Sequence, residues 1–273
     1  MKLTVTIESA EHKLKPILEE FFISVFDEKT LSSHGIDHHR RVWGYSKELF
    51  NLIASQKPAS FTHLLPKLII ASYLHDIGMS VESGIRHGKH SRDLCIMFLK
   101  KNNLPLQDYQ DVLDAVENHD NKEYSGDSDV NDLLKILSVA DDLDAFGYIG
   151  IYRYAEIYLM RGVDLFEIGN LIKKNAARRF DNFVKTFGFD DEFVWKHKKR
   201  YEILDKFFEE YNKQVPDYKF GGSAPSGYCG VIEIFADMLK NKIELRDICR
   251  DPHKYSTDSI ICWYFNELAF EIH

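Results

Sequence analysis

From about residue 11 to residue 212 the apolar residues of this chain recur mostly at steps of three and four, with few alternating β-branched runs. That period gives an α-helix one continuous dry face, so the chain is expected to be all-α. Breakers mark short connections: "SSHGID" at 32–37, "SQKPAS" at 55–60, "MSVESG" at 79–84, "NNLP" at 102–105 and "YSGDSD" at 124–129. Only "KLTVTIES", residues 2–9, reads as a strand. One pronounced shift in composition occurs at "QVPDYKFGGSAPSGYCG", residues 214–230. It divides the chain into a main domain, 1–212, and a C-terminal accessory segment, 213–273, too short for a core of its own. The aromatic end of that segment, "IICWYFNELAFEIH", is expected to pack on the main domain or on a partner subunit, which makes a homodimer the expected assembly.

Charge narrows the function classes. A net charge of −8 argues against broad electrostatic capture of nucleic acid or of an anionic membrane. No apolar run approaches membrane-spanning length, and the N-terminus lacks a signal-like apolar region, so a cytoplasmic location is expected. The four cysteines, Cys95, Cys229, Cys249 and Cys262, form no CxxC pair and suggest neither disulfides nor a thiolate metal site.

Polar residues on dry helical faces are the informative feature. In "DHHRRVWGYSKELFNLIA", which Asp37 can cap, the stripe Val42, Tyr45, Leu49, Ile53 extends back four residues to His38, while His39 and Arg40 point elsewhere. In "LPKLIIASYLHDIG", between Pro66 and Gly78, Leu68 and Ala71 are in line with His75, and Asp76 stands beside it at the helix end. In "QDYQDVLDAVENHD" the stripe Tyr109, Val112, Val116 continues into His119, and Asp120 drifts off that face. In "NDLLKILSVADDLDAFG" the residues Leu134, Leu137, Asp141 and Asp144 share one face, and Asp142 falls in line with Lys135 and Ser138. A carboxylate on an apolar face is costly unless its charge is compensated. One such residue is ordinarily a hydrogen-bonded core group. Four helices each delivering a His or an Asp instead point to one shared metal ion, because imidazole and carboxylate are ligands of hard-to-borderline divalent cations.

These residues match a family pattern. With "HHRRV" reading as H-x-x-R-V, "LHDIG" as the doublet and "ADDLDAFG" as A-D-x-L-D, the order His38, His75-Asp76, Asp141 resembles the HD-domain metal-dependent phosphohydrolase superfamily over about residues 30–160. The resemblance implies an all-α HD-domain bundle, here with an additional C-terminal helical segment. It implies His38, His75, Asp76 and Asp141 as ligands of one divalent cation. It further implies a second cation bridged by Asp76 and bound by His87 or His90 and by His119. Both histidines of "HGKH" suit the helical face, and His87 fits the family's H-x-x-x-S spacing to Ser91 better. The sequence lacks the Gly-Tyr-Pro signature of the cyclic-dinucleotide branch and the synthetase pattern of the alarmone enzymes.

The function expected from this resemblance is a metal-dependent phosphoric ester hydrolase, a phosphomonoesterase or phosphodiesterase using a metal-activated water on a nucleotide-like or other small phosphorylated substrate. Asp76, His119 and Asp144 are the candidate catalytic residues, with Asp144 able to orient a ligand from one turn beyond Asp141. Arg41, Arg86, Lys89, Arg92 and Arg153 are candidates to hold phosphate, with Arg153, after "GYIGIY", the best of them. The ligand set admits Mn, Fe, Zn, Co, Ni or Mg. Two other readings use the same residues. A nuclease of a defence system would track an oligonucleotide along the basic runs "KKNAARRF" (173–180) and "KHKKRYE" (196–202). A regulatory scaffold would bind metal or nucleotide without turnover.

Overall fold

The computed structural model describes residues 3–26, 31–56, 62–84, 86–121, 132–222 and 224–272. Among them twelve α-helices and several short 3-10 turns occur and no strand, so the fold is all-α as the period requires. None of the helices is long and apolar enough to cross a membrane. The expected strand at 2–9 is instead the start of helix α1, Leu3–Val25. Its β-branched residues prefer strands only weakly, and the helical spacing of buried Ala10, Leu14, Leu18 and Phe21 just downstream overrides that preference. The breaker at 124–129 lies outside the described residues.

The helices fall into two compact units. The first holds α1, α2 (Ile36–Gln56), α3 (Leu65–Leu74), α4 (His87–Lys101), α5 (Gln110–Asn118), α6 (Asp132–Asp144) up to Leu143, and residues 182–190. Its axis is α3, which packs against α1, α2, α4 and α5 and buries Leu68, Ile69, Ile70, Ala71, Tyr73 and Leu74. A helix enclosed on all sides can be apolar all round, and "LIIASYL" is. Asp37 is no cap: α2 begins one residue earlier, and the Asp37 carboxylate accepts from Arg40 Nη1 at 3.0 Å within the first turn.

The second unit holds residues 31–33, Asp144 onward through α7 (Gly147–Met160), α8 (Leu165–Phe187) up to Asp181, α9 (Asp191–Gln214), α10 (Gly227–Asn241), α11 (Leu245–Arg250) and α12 (Ser259–Ile272). Residues 191–212 thus group with 213–272, whereas the composition shift divides the chain after 212. The aromatic C-terminal helix packs on α7 and α10. Tyr264 donates to the Tyr148 carbonyl at 3.0 Å, and Glu271 accepts from the Ile149 N–H at 2.9 Å and from Arg200 at 2.8 Å. That places a carboxylate at the positive N-terminal end of α7.

Candidate metal centre

Local geometry at the end of α3 delivers the first two groups. His75 keeps helical dihedrals, while Asp76 swings to φ −107° and ψ 6° before the 3-10 turn Ile77–Ser80. Gly78 then donates its N–H to Ser91 Oγ at 2.8 Å, so the H-x-x-x-S spacing has a physical basis. A Cβ at residue 78 would lie 2.2 Å from the His87 carbonyl oxygen and 2.3 Å from the Ser91 nitrogen. Only glycine permits that approach, and it carries the first turn of α4, with His87, up to Asp76. Ser138 of α6 donates to the His119 carbonyl at 2.7 Å, tying the end of α5 to the helix that bears Asp141.

Two groups of buried side chains result, His38, His75, Asp76 and Asp141 in one and Asp76, His87 and His119 in the other, and within each the donor atoms lie within 4.8 Å of one another. Asp76 Oδ2 is 3.5 Å from His38 Nε2 and 3.4 Å from His75 Nε2, while Asp141 Oδ1 is 3.7 and 3.9 Å from the same two nitrogens. The other oxygen, Oδ1, is 3.0 Å from His119 Nε2 and 3.3 Å from His87 Nε2. Asp76 therefore faces both groups, one oxygen to each.

In the neutral form of the rings, the tautomer leaves these contacts without a proton. Nδ1–H of His75 donates to the Ser72 carbonyl at 3.0 Å, that of His119 to the Val116 carbonyl at 2.8 Å, and that of His87 to the Gly84 carbonyl at 2.8 Å. A carbonyl only accepts, so the proton of each neutral ring is committed there and the Nε2 lone pair points inward. Lone pair then meets lone pair between His87 and His119, whose Nε2 atoms are 3.4 Å apart, and the Nε2 of His75 lies 3.2 Å from that of His38. Asp76 Oδ1, buried and close to two rings, has no hydrogen bond aligned on it. Nitrogen and carboxylate donors arranged this way fit a divalent cation, which accepts every lone pair at once.

The electrostatics state the same demand for positive charge. Burial works against a proton on His75, but the carboxylates of Asp76 and Asp141 outweigh it and hold the ring up to about 10. His87 is likewise raised to about 9 against the cost of burial, by Asp76 and Asp120. Asp76 stays well below the usual carboxylate range despite burial, because His75 and His119 surround it.

The other sequence candidates separate. His90 is not at the centre; its Nε2 is 3.5 Å from Glu82 Oε2 and half-exposed, so the structure selects His87 at the position the helical period left open. His39, expected to point elsewhere, is fully buried with Nδ1 3.2 Å from the Ser72 carbonyl, where burial and the neighbouring rings of His75 and His38 push its pKa well below the ordinary value. Asp142, expected on the polar face, is also fully buried and accepts from Asn182 Nδ2 at 2.9 Å. In the second unit Asp144 is paired with Arg153 at 3.2 Å, so a candidate orienting carboxylate and a candidate phosphate ligand meet each other. Arg86 is exposed and bound to Glu82 at 2.9 Å, Arg92 to Asp114 at 2.7 Å, Lys89 is exposed and Arg41 is half-buried. Sequence reasoning passed over His34, which is buried with Nε2 4.0 Å from Asp76 Oδ2. The signal was present, since a second step of four back from Val42 through His38 lands on it.

The family model of the HD domain matches residues 35–145. No curated protein matches the chain. Among solved structures the chain is similar to a crystal structure of a protein from Lactobacillus plantarum, at 17% identity over 74% of this chain and 97% of that one, with a TM-score of 0.49. Residues 35–145, which carry His38, His75, Asp76, His87, His119 and Asp141, are matched as an HD domain, consistent with a superfamily whose members are generally metal-dependent phosphohydrolases.

Proposed function

We propose that the protein is a metal-dependent phosphohydrolase acting on a small, nucleotide-like phosphate ester. The observation that carries this reading is the set of rings whose Nδ1–H is committed to backbone carbonyls while their Nε2 lone pairs converge on Asp76. His38, His75, Asp76 and Asp141 would hold one divalent cation, and the second oxygen of Asp76 with His87 and His119 a second. Such a cation, when bound, brings the pKa of a coordinated water toward neutrality and polarises a phosphoryl oxygen. The chain's own part is to keep the rings neutral and fixed through their Nδ1 bonds and to keep bulk water from the carboxylates by burial. Asp76 and His119 are then both ligands and catalytic residues. Arg41, Arg86, Lys89 and Arg153 are the cations we propose for the phosphate, of which Arg86 is paired with Glu82 and Arg153 with Asp144.

A small substrate is favoured over an oligonucleotide because the basic runs are in part neutralised. Lys173 is paired with Asp205 at 3.1 Å, Arg200 with Glu271 at 2.8 Å, and Lys198 is 3.9 Å from Glu202. We place the enzyme in the cytoplasm, a setting that suits four buried free cysteines. The test is elemental analysis of wild type and of a His75→Ala, Asp76→Ala double variant, paired with phosphate release from a panel of nucleotides. One or two equivalents of metal are expected to vanish together with activity. If wild type takes up no metal even after reconstitution, the hydrolase reading falls and the scaffold reading replaces it.

A further inference from the structure

The sequence carries its His-Asp doublet twice, at 75–76 and at 119–120, and the function proposed above uses only three of the four residues. The fourth, Asp120, follows the end of α5 with its side chain half-exposed, and its Oδ2 is 3.7 Å from Nε2 of His87. The two candidate positions are unequally supplied. The first has two rings and two carboxylates, from His38, His75, Asp76 and Asp141, whereas the second has two rings and a single shared carboxylate. Two divalent cations would bring four positive charges into a buried site against the two negative charges of Asp76 and Asp141. The second position is thus short of both a ligand and a negative charge, and the further carboxylate that lies against one of its rings, His87, is that of Asp120.

We propose that Asp120 is the fourth protein ligand of the second cation, and that its half-exposed carboxylate makes this position the exchangeable one of the two. The inference rests on the metal-binding reading and adds a residue to it. A ligand on the buried side of such a site is held by packing. A half-exposed one can release the cation into water without disturbing the first position. The second doublet therefore works as the first does, a ring and its neighbouring carboxylate both turned to metal, with the difference that here the carboxylate lies on the solvent side.

The experiment is calorimetric titration of the metal-stripped full chain with Mn2+ alone, on wild type, Asp120→Asn and Asp120→Glu, with circular dichroism confirming the fold of each. Wild type is expected to take up two equivalents, the second the weaker. Asp120→Asn should weaken the second by 10-fold or more and leave the first within 2-fold, and Asp120→Glu should restore part of the loss. An unchanged second equivalent in Asp120→Asn, or equal weakening of both, overturns the inference and leaves the proposed function standing. A single equivalent in wild type also overturns it and keeps a one-metal reading. No uptake by wild type removes the proposed function and this inference together.

Discussion

Asp76 and Glu156 are buried to the same degree, 3% exposed each, and their surroundings are opposite. Glu156, on α7 in the second unit, accepts from the Ser33 N–H at 2.8 Å, from Tyr152 Oη at 2.8 Å and from Ser32 Oγ at 3.0 Å, so both its oxygens have donors. Asp76 is surrounded by rings whose Nδ1–H is committed to backbone carbonyls, so in their neutral form they turn only lone pairs toward it. Burial of a carboxylate therefore does not distinguish a structural group from a ligand. The chemistry of the facing atoms does, because a satisfied carboxylate is complete by itself and an unsatisfied one needs a cation.

The sharpest way to break this comparison is to neutralise each carboxylate in turn. Asp76→Asn should reduce metal content to background, while Glu156→Gln should keep it and lose about 1–3 kcal/mol of stability to urea, the cost of disturbed buried hydrogen bonds. Equal metal loss in both variants would break the contrast. Next in size is the pair Asp141→Ala and Asp142→Ala. The first should abolish uptake at the first position. The second should retain metal and lower stability by about 1–3 kcal/mol, because Asn182 Nδ2 loses its buried acceptor. Equal metal content in the two purified variants would remove Asp141 from the ligand set.

A smaller effect concerns pH. Because the folded-state pKa of His75 is raised from 6.5 to about 10, protonation stabilises the metal-free fold fully below 6.5, and this contribution is lost as pH rises through about 10. The melting temperature of metal-free protein should therefore decline over that window, and the slope should flatten when metal is bound. A slope that metal leaves untouched would separate His75 from the site. The smallest effect is expected for His90→Ala, which should stay within about 0.5 kcal/mol of wild type in stability and keep full metal content. Loss of one equivalent in that variant would return His90 to the ligand set.

Much of the centre was legible in the sequence because its ligands continue apolar stripes. Counting back from Val42 finds His38, and counting forward from Leu134 and Leu137 finds Asp141. The count fails where a helix is covered on more than one side. α2 packs against both α1 and α3, so His39 is buried along with His38, and α6 buries Asp142 as completely as Asp141. A stripe argument assumes one wet face, and these helices have almost none at that level. His34 escaped because it sits in a 3-10 turn, Ser32–His34, before the helix begins. The choice of His87 over His90 was beyond periodicity, since it depends on how closely two backbones approach, which a linear pattern does not encode.

That approach rests on Gly78. The nearest atoms belong to the start of α4, so a methyl group there would push away the helix that bears His87 while His38 and Asp141 remain on elements of their own. Seen as heredity, the codon for residue 78 governs how the candidate ligands assemble: a one-base change from glycine to alanine would move the ring of His87 away from Asp76 without altering any candidate ligand.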